Sequence, residues 1–537
     1  IIFYIIIAER RICRLLIFSL LLRVKLKWRL YMKKSKAKKN VVVGFTGQLI
    51  ILLLGMVFPR VILKNYGSDA NGLISTITQI FSYMALLEAG IRQAAKNELF
   101  KCIAKKDEEQ ISVVATTAKR YFQRVTVLYG IGVIILSVMA PVFVVSNLDK
   151  EVIFFAAFFE GVAGVLSFYF VQTPSSILSA FGEDYVNTTV EVFNKGISYL
   201  VRIGLATVGA SLFLLQFSYC IITIAKVIFY VTYFRRKYKW INFKAGSGKE
   251  KLRDRNAYVI NELAWTIFSS TDNIILSTFV STKMASVYVI YNMIFSALNT
   301  LLNAVYTSIN YLLGQAFHEN IKKYEILHDN FTSIFLGGMT ILMSIAYILI
   351  LPFISIYTKG VSDINYIYAS LPVFFCLIRI FSWSRYVTGN LTGLAGYAKQ
   401  TSYISILEAF MNIFISIVLV QKMGIMGVLI GSTIALPVKV IYCAYISDKK
   451  VMNRSCKKTI VIYGLNYLFF FSIVFASRFI KLRINTFYDL IFWGVIITVV
   501  IGIAGGTINM IANPNLLKWL TNSYLRKKSE NKSSYKL

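Results

Sequence analysis

Apolar positions in this chain fall into long runs, not into the short alternations of soluble helices and strands. From residue 41 onward the runs are 41–63, 71–92, 125–146, 151–173, 187–208, 211–233 and 257–280. They continue as 284–313, 331–357, 364–390, 401–421, 425–447, 458–480 and 486–511. A helix rising about 1.5 Å per residue needs about 20 residues to cross a hydrocarbon core of about 30 Å. The pattern predicts an all-α polytopic membrane protein with about 14 transmembrane helices.

The segments between runs assign the sides. Segments 33–39, 93–124, 234–256, 314–330, 448–458 and the tail after 511 hold about 35 Lys and Arg, and the opposite loops about nine. Basic loops stay in the cytosol, so both termini are expected there, in a plasma membrane. Loop 174–186 is the exception, with Glu183, Asp184 and no base. The loops on the other side are all short, which leaves no room for a sizeable outer domain.

Composition agrees. Of 537 residues, 57% are hydrophobic and 15% charged, against about 45–50% and about 25% in soluble domains. The formal charge of +33 sits in separate loops, not on one continuous basic face, which argues against nucleic acid as a partner. Cys13, Cys102, Cys220, Cys376, Cys443 and Cys456 are scattered, and His318 and His328 are the only histidines. No metal site and no disulfide framework is expected. Residues 1–31 hold two apolar runs too short to span, split by AERR, and Met32 then leads into KKSKAKK. The expectation is that translation begins at Met32, the alternative being an interfacial amphipathic anchor.

The chain also matches itself at an offset near 216. YGSDANGLIS (66–75) falls against TKMASVYVIY (282–291), Pro141 against Pro352, and VQTPSSILSAFG (171–182) against VTGNLTGLAGYA (387–398). EVFNKGIS (191–198) falls against EAFMNIFIS (408–416), with Glu191 facing Glu408. The order predicts an N-lobe of six spans (32–233), a basic linker (234–256), a C-lobe of six (257–450), two further spans (451–511) and a basic tail (512–537). With an even number of spans per unit the two lobes form a parallel pseudo-repeat, an arrangement found in transporters.

Three stretches carry a likeness: NVVVGFTGQLIILLLGMVFPRVILKNYGSDANGLIS (40–75), LLEAGIRQA (86–94) and TDNIILSTFVSTKMASVYVIY (271–291). With them, residues 40–510 resemble the polysaccharide-exporter branch of the multidrug/oligosaccharidyl-lipid/polysaccharide (MOP) superfamily. The resemblance implies a bacterial inner-membrane flippase, not an enzyme. Its cargo would be undecaprenyl-pyrophosphate-linked oligosaccharide repeat units, moved to the outer leaflet by alternating access for capsule, O-antigen or exopolysaccharide synthesis. It also implies a polymerase and glycosyltransferases as pathway partners. Lipid II flippases of the superfamily place basic residues in the first helix, whereas the first span here has no charge before Arg60.

Ionisable residues within spans usually face a bundle interior and mark pathways. Glu191, Lys195, Ser198 and Arg202 form one polar stripe on the fifth span, with Arg202 about 22 Å deep. Arg202, Lys195, Arg379 and Lys226 are therefore the expected cavity cations for the diphosphate. Glu160 and Asp272 are the expected carriers of a coupling ion, H⁺ or Na⁺. Glu88, Arg92, Glu191 and Glu408 are expected at an inner gate. No residue is assigned a catalytic role. The alternatives are a membrane-embedded glycan polymerase or ligase, disfavoured by the short outer loops, and a multidrug or cation antiporter, disfavoured by the buried bases.

Overall fold

In a computed structural model, which describes residues 36–105, 107–243, 271–309, 311–479, 482–517 and 519, the apolar runs are helices. This is what hydrocarbon demands, because a helix satisfies its own backbone groups where no water can. Helix α1 (Lys36–Lys105) is broken at Gly67, whose φ of 79° lies where glycine avoids the Cβ clash other residues meet. Its two arms are the first two predicted spans. Then follow α2 (Glu108–Phe143), α3 (Lys150–Phe170), α4 (Gln172–Ala180), α5 (Asp184–Thr207) and α6 (Leu212–Lys237).

After a helical stretch at 271–279, the second half holds α7 (Thr282–Ile309), α8 (Tyr311–Glu319), α9 (Ile321–Tyr357), α10 (Leu371–Ser384) and α11 (Tyr386–Leu394). Helices α12 (Ala398–Met423), α13 (Ile425–Tyr445, continued by a π-helical turn to Val451), α14 (Lys457–Ala476) and α15 (Phe487–Ala512) complete it. Ten of these helices are long and apolar enough to cross a membrane. The fourteen predicted runs are reached with the second arm of α1, the charged α5, the short α10 and the run at 257–280, described only from 271. The expectation for residues 1–31, the linker beyond 243 and the tail beyond 519 lies outside the described residues.

The two halves repeat in backbone detail. Helices α4 and α11 each have nine residues and end on a left-handed glycine, Gly182 (φ 72°) and Gly396 (φ 85°). The same carbonyls are capped in both. Glu183 N donates to Leu178 O and Tyr397 N to Thr392 O, each at 2.8 Å. Helices α2 and α9 also share a start, with Asp107 and Asn320 accepting from backbone amides of the first turn.

Two sequence expectations change here. Segment 174–186 is not a loop for most of its length, because α4 occupies it and is almost wholly buried. Its polar residues enter the core by bonding within the helix, as Ser176 Oγ does to Gln172 O at 2.8 Å. The second change is one of register. Helices α5 and α12 begin at Asp184 and Ala398, an alignment that sets Asn194, not Glu191, against Glu408. A slip of three residues keeps an apolar pattern on the same helix face, so the sequence alone does not reveal it.

Helices α1–α6 pack on one another, α7–α13 form the second bundle, and α14 and α15 pack against α9. Asn466 and Asn509 join α14 to α15 through Nδ2–Oδ1 bonds of 3.0 and 3.3 Å. Where these helices meet the C-lobe on the side of the basic segments, Asp329 of α9 accepts from Arg454 Nη1 (2.9 Å) and Nη2 (2.6 Å) and from Lys458 Nζ (2.7 Å). Arg454 Nε also donates to Asp448 at 2.8 Å. Burial opposes the Arg454 charge, but Asp329 and Asp448 outweigh it and hold the guanidinium above its ordinary value. Arg454→Ala leaves two buried carboxylates short of a partner. It is expected to destabilise the protein by about 3–5 kcal/mol, read as a lower thermal unfolding midpoint in detergent.

Candidate functional site

Helix α5 crosses its bundle with a polar face, and neighbouring helices divide that face by depth. Toward the basic end it borders a cavity of about 400 Å³ walled by α1, α3, α4, α5 and α6. Glu191 is the hinge of this site. Its Oε1 lies 3.2 Å from Lys195 Nζ, one turn along α5, and its Oε2 lies 3.1 Å from Lys226 Nζ on α6. Arg92, from the second arm of α1, lines the same cavity and donates to Gln172 Oε1. Asn187 Oδ1 accepts from Tyr230 OH at 3.0 Å and fixes the floor between α5 and α6. Among the described residues two lysines share this carboxylate, and Arg92 lines the same cavity. The side chain of Glu88 lies outside the described residues.

Arg202 is on the same face but not in this cavity. It is 6% exposed, donates to Gln216 Oε1 of α6 at 3.1 Å and lies 4.4 Å over the ring of Phe58. The expected track along α5 is therefore cut, because Phe58 of α1 and Gln216 of α6 cover its upper half. Glu160, half-buried on α3, lies near enough to Arg202 for their charges to couple inside the N-lobe.

The C-lobe gathers the other predicted residues. Asp272 is 5% exposed and accepts from Ser432 Oγ at 3.0 Å and Tyr288 OH at 3.2 Å. Asn412 Nδ2 donates to the same serine at 2.6 Å, while Asn412 Oδ1 is buried without a hydrogen bond. Arg379 is held by Asn292 Oδ1 (2.7 Å) and Ser296 Oγ (3.0 Å) of α7, and its charge couples to Asp272. Glu408 is not at a surface gate. Only 2% exposed, it accepts through both oxygens from Nη1 of Arg385, itself 6% exposed. Burial forces the pairing, since an isolated ion there is strongly disfavoured.

Sequence reasoning passed over Lys439 on α13, which lies close enough to Arg385 and Glu408 for the charges to couple. The signal was available, because the repeat sets it opposite Lys226. It also passed over the joint between lobes at the end away from the basic segments. There Asp363 accepts from Ser68 N and Ser68 Oγ, each at 2.7 Å, just after the break at Gly67. In return Arg60 donates to the carbonyls of Tyr357 and Lys359 (2.8 Å for the latter), where α9 ends. Each lobe therefore caps a helix end of the other, carboxylate on an N-terminus and guanidinium on a C-terminus. Asp69 adds Thr282 Oγ1 and, at 3.6 Å, Lys283 Nζ.

No family model and no curated protein matches the sequence. Solved structures do. A multidrug resistance MATE family transporter of the MOP superfamily, in an inward-facing conformation, matches 77% of this chain and 99% of its own at 13% identity with a TM-score of 0.61. The lipid II flippase MurJ, in an inward closed conformation, matches 89% of this chain and all of its own at 14% identity with a TM-score of 0.60. The MATE transporter in an outward-facing conformation gives a TM-score of 0.52 at 14% identity. The chain shares the fold of these membrane transporters.

The lobes touch closely at the clasp, where a Cβ on Gly72 would sit 1.8 Å from Thr282 O. Gly72→Ala is therefore expected to force the two backbones apart. With the native cysteines replaced and cysteines placed at Ser68 and Asp363, disulfide formation slows in the Gly72→Ala background if the clasp holds as described.

Proposed function

We propose that the chain is a flippase that carries undecaprenyl-pyrophosphate-linked oligosaccharide repeat units from the inner to the outer leaflet of a bacterial inner membrane, for polysaccharide assembly. The observation that carries this reading is the cavity lined by Arg92, Lys195 and Lys226, with Glu191 shared between the two lysines. A sugar diphosphate head is polar and doubly anionic, so it needs a wet, cationic recess while its prenyl tail stays in lipid. Lysine and arginine hydrogen bonds to phosphate are charge-assisted and suit that role. The shared fold with the lipid II flippase supports it. An antiporter for cationic drugs, the alternative raised by the MATE likeness, is poorly served by a cavity lined by those three bases. None of the three structures compared above is a polymerase or ligase.

Alternating access follows from the two ends. With the basic segments in the cytosol, the clasp closes the outer side and the cavity belongs to the inner half. Glu191 divides its charge between Lys195 and Lys226 while the site is empty, and an arriving diphosphate competes for both amines. Outward opening then requires Asp363 and Arg60 to release their helix ends. Asp272 is the proposed coupling site. Its carboxylate and the Ser432 and Tyr288 hydroxyls that donate to it gather oxygens of a kind suited to Na⁺ or to a proton.

Reconstitution tests both parts. In proteoliposomes holding a labelled lipid-linked oligosaccharide, the protein moves label to the opposite leaflet, and Lys226→Ala lowers the rate about tenfold, as expected for one lost charge-assisted bond. Absence of movement by the unaltered protein, with an ion gradient imposed, sinks the flippase reading. Asp272→Asn is expected to leave residual movement that no longer responds to the gradient; a full response retained by this variant removes Asp272 from coupling.

A further inference from the structure

The repeat places a lysine at one position in both lobes, but gives the two different surroundings. Lys226 and Lys439 each lie fourteen residues past the first residue of their helix, Leu212 and Ile425. That is about 21 Å along each axis, so the two lysines hold equivalent positions in the repeat. Their carboxylates do not. Glu191 lies seven residues into α5 and Glu408 ten residues into α12, nearly a full turn apart. In the N-lobe Glu191 reaches Lys226 at 3.1 Å. In the C-lobe Glu408 is taken by Arg385, the N-cap of α11, which donates to both of its oxygens.

Lys439 is left over. Among the described residues it is half-buried and makes no hydrogen bond or ion pair, with Arg385 and Glu408 near enough to couple to its charge. Among the described residues two cations, Arg385 and Lys439, stand near the one carboxylate of Glu408. An uncompensated ion in such a place is unfavourable for stability, and intramembrane ions that are retained mark pathways.

We propose that Lys439, backed by Arg385, is a second phosphate-receiving point, on the C-lobe, for the diphosphate head whose N-lobe contacts include Lys226. The proposal rests on the lipid-diphosphate reading above. Because the two lysines hold equivalent positions in the two halves, an anion that engaged both lobes would meet one amine from each. The N-lobe amine must first be released by Glu191, whereas the C-lobe amine has no partner among the described residues. The C-lobe therefore makes the stronger contact, and a diphosphate, with two phosphates, engages both.

The test is binding of undecaprenyl diphosphate, which carries no sugar, to the full-length protein in nanodiscs, with undecaprenyl monophosphate as the comparison. Lys439→Met is expected to weaken diphosphate binding about tenfold or more and monophosphate binding less, with Lys439→Arg close to the unaltered protein. Its thermal unfolding midpoint is expected to be unchanged or higher, since an unpaired charge has been removed. Diphosphate affinity unchanged in Lys439→Met while Lys226→Met loses it overturns this proposal alone. A lowered midpoint in Lys439→Met, restored by Lys439→Arg with no change in affinity, makes the lysine structural and overturns it too. Failure of the unaltered protein to bind undecaprenyl diphosphate overturns the underlying reading, and this proposal with it.

Discussion

A charge inside a bundle surrounded by hydrocarbon is tolerated only beside a compensating charge, and most of the interior is arranged around that requirement. Each lobe holds a carboxylate toward the basic end, and the identity of its partner sets what remains available. Glu191 is shared by two lysines across α5 and α6. Glu408 is committed to Arg385 across α11 and α12. Asp329 ties α14 to α9 through Arg454 and Lys458. The same chemistry thus serves a site that must exchange partners, a lobe interior that must not, and an anchor for the last two helices.

Helix ends provide the second level of organisation. A break in a helix exposes unpaired amides or carbonyls, and this fold uses those groups to join its halves. The break at Gly67 offers amides to Asp363, and the end of α9 offers carbonyls to Arg60. An apolar contact joins these polar ones, because Leu63 of α1 packs in the C-lobe core. Backbone bonds reinforce them, with Val145 N to Ser277 O at 2.9 Å and Thr282 N to Val145 O at 2.8 Å.

Much of this was legible in the chain. Run length fixed the spans, since a helix must be long enough to cross hydrocarbon. Internal matches at a nearly constant offset revealed two bundles, since Pro141 and Pro352, or the stretches at 171–182 and 387–398, mark the same turns. Glu191 and Lys195 emerged on one stripe from helical spacing, and Lys226 separately from its depth in the sixth span. What spacing could not supply was the cover over each face. Arg202 shares a face with Glu191, yet Phe58 and Gln216, distant in sequence, close over it.

The sequence by itself determined that this is a membrane bundle of about fourteen helices in two related halves, because hydrophobic length and charge sidedness are local, additive properties. Only the tertiary structure decided which charges stay available. A one-turn difference in where Glu191 and Glu408 sit leaves Lys226 paired and, among the described residues, Lys439 unpaired. That difference depends on which helix reaches each carboxylate first, and no periodicity along a single helix records it.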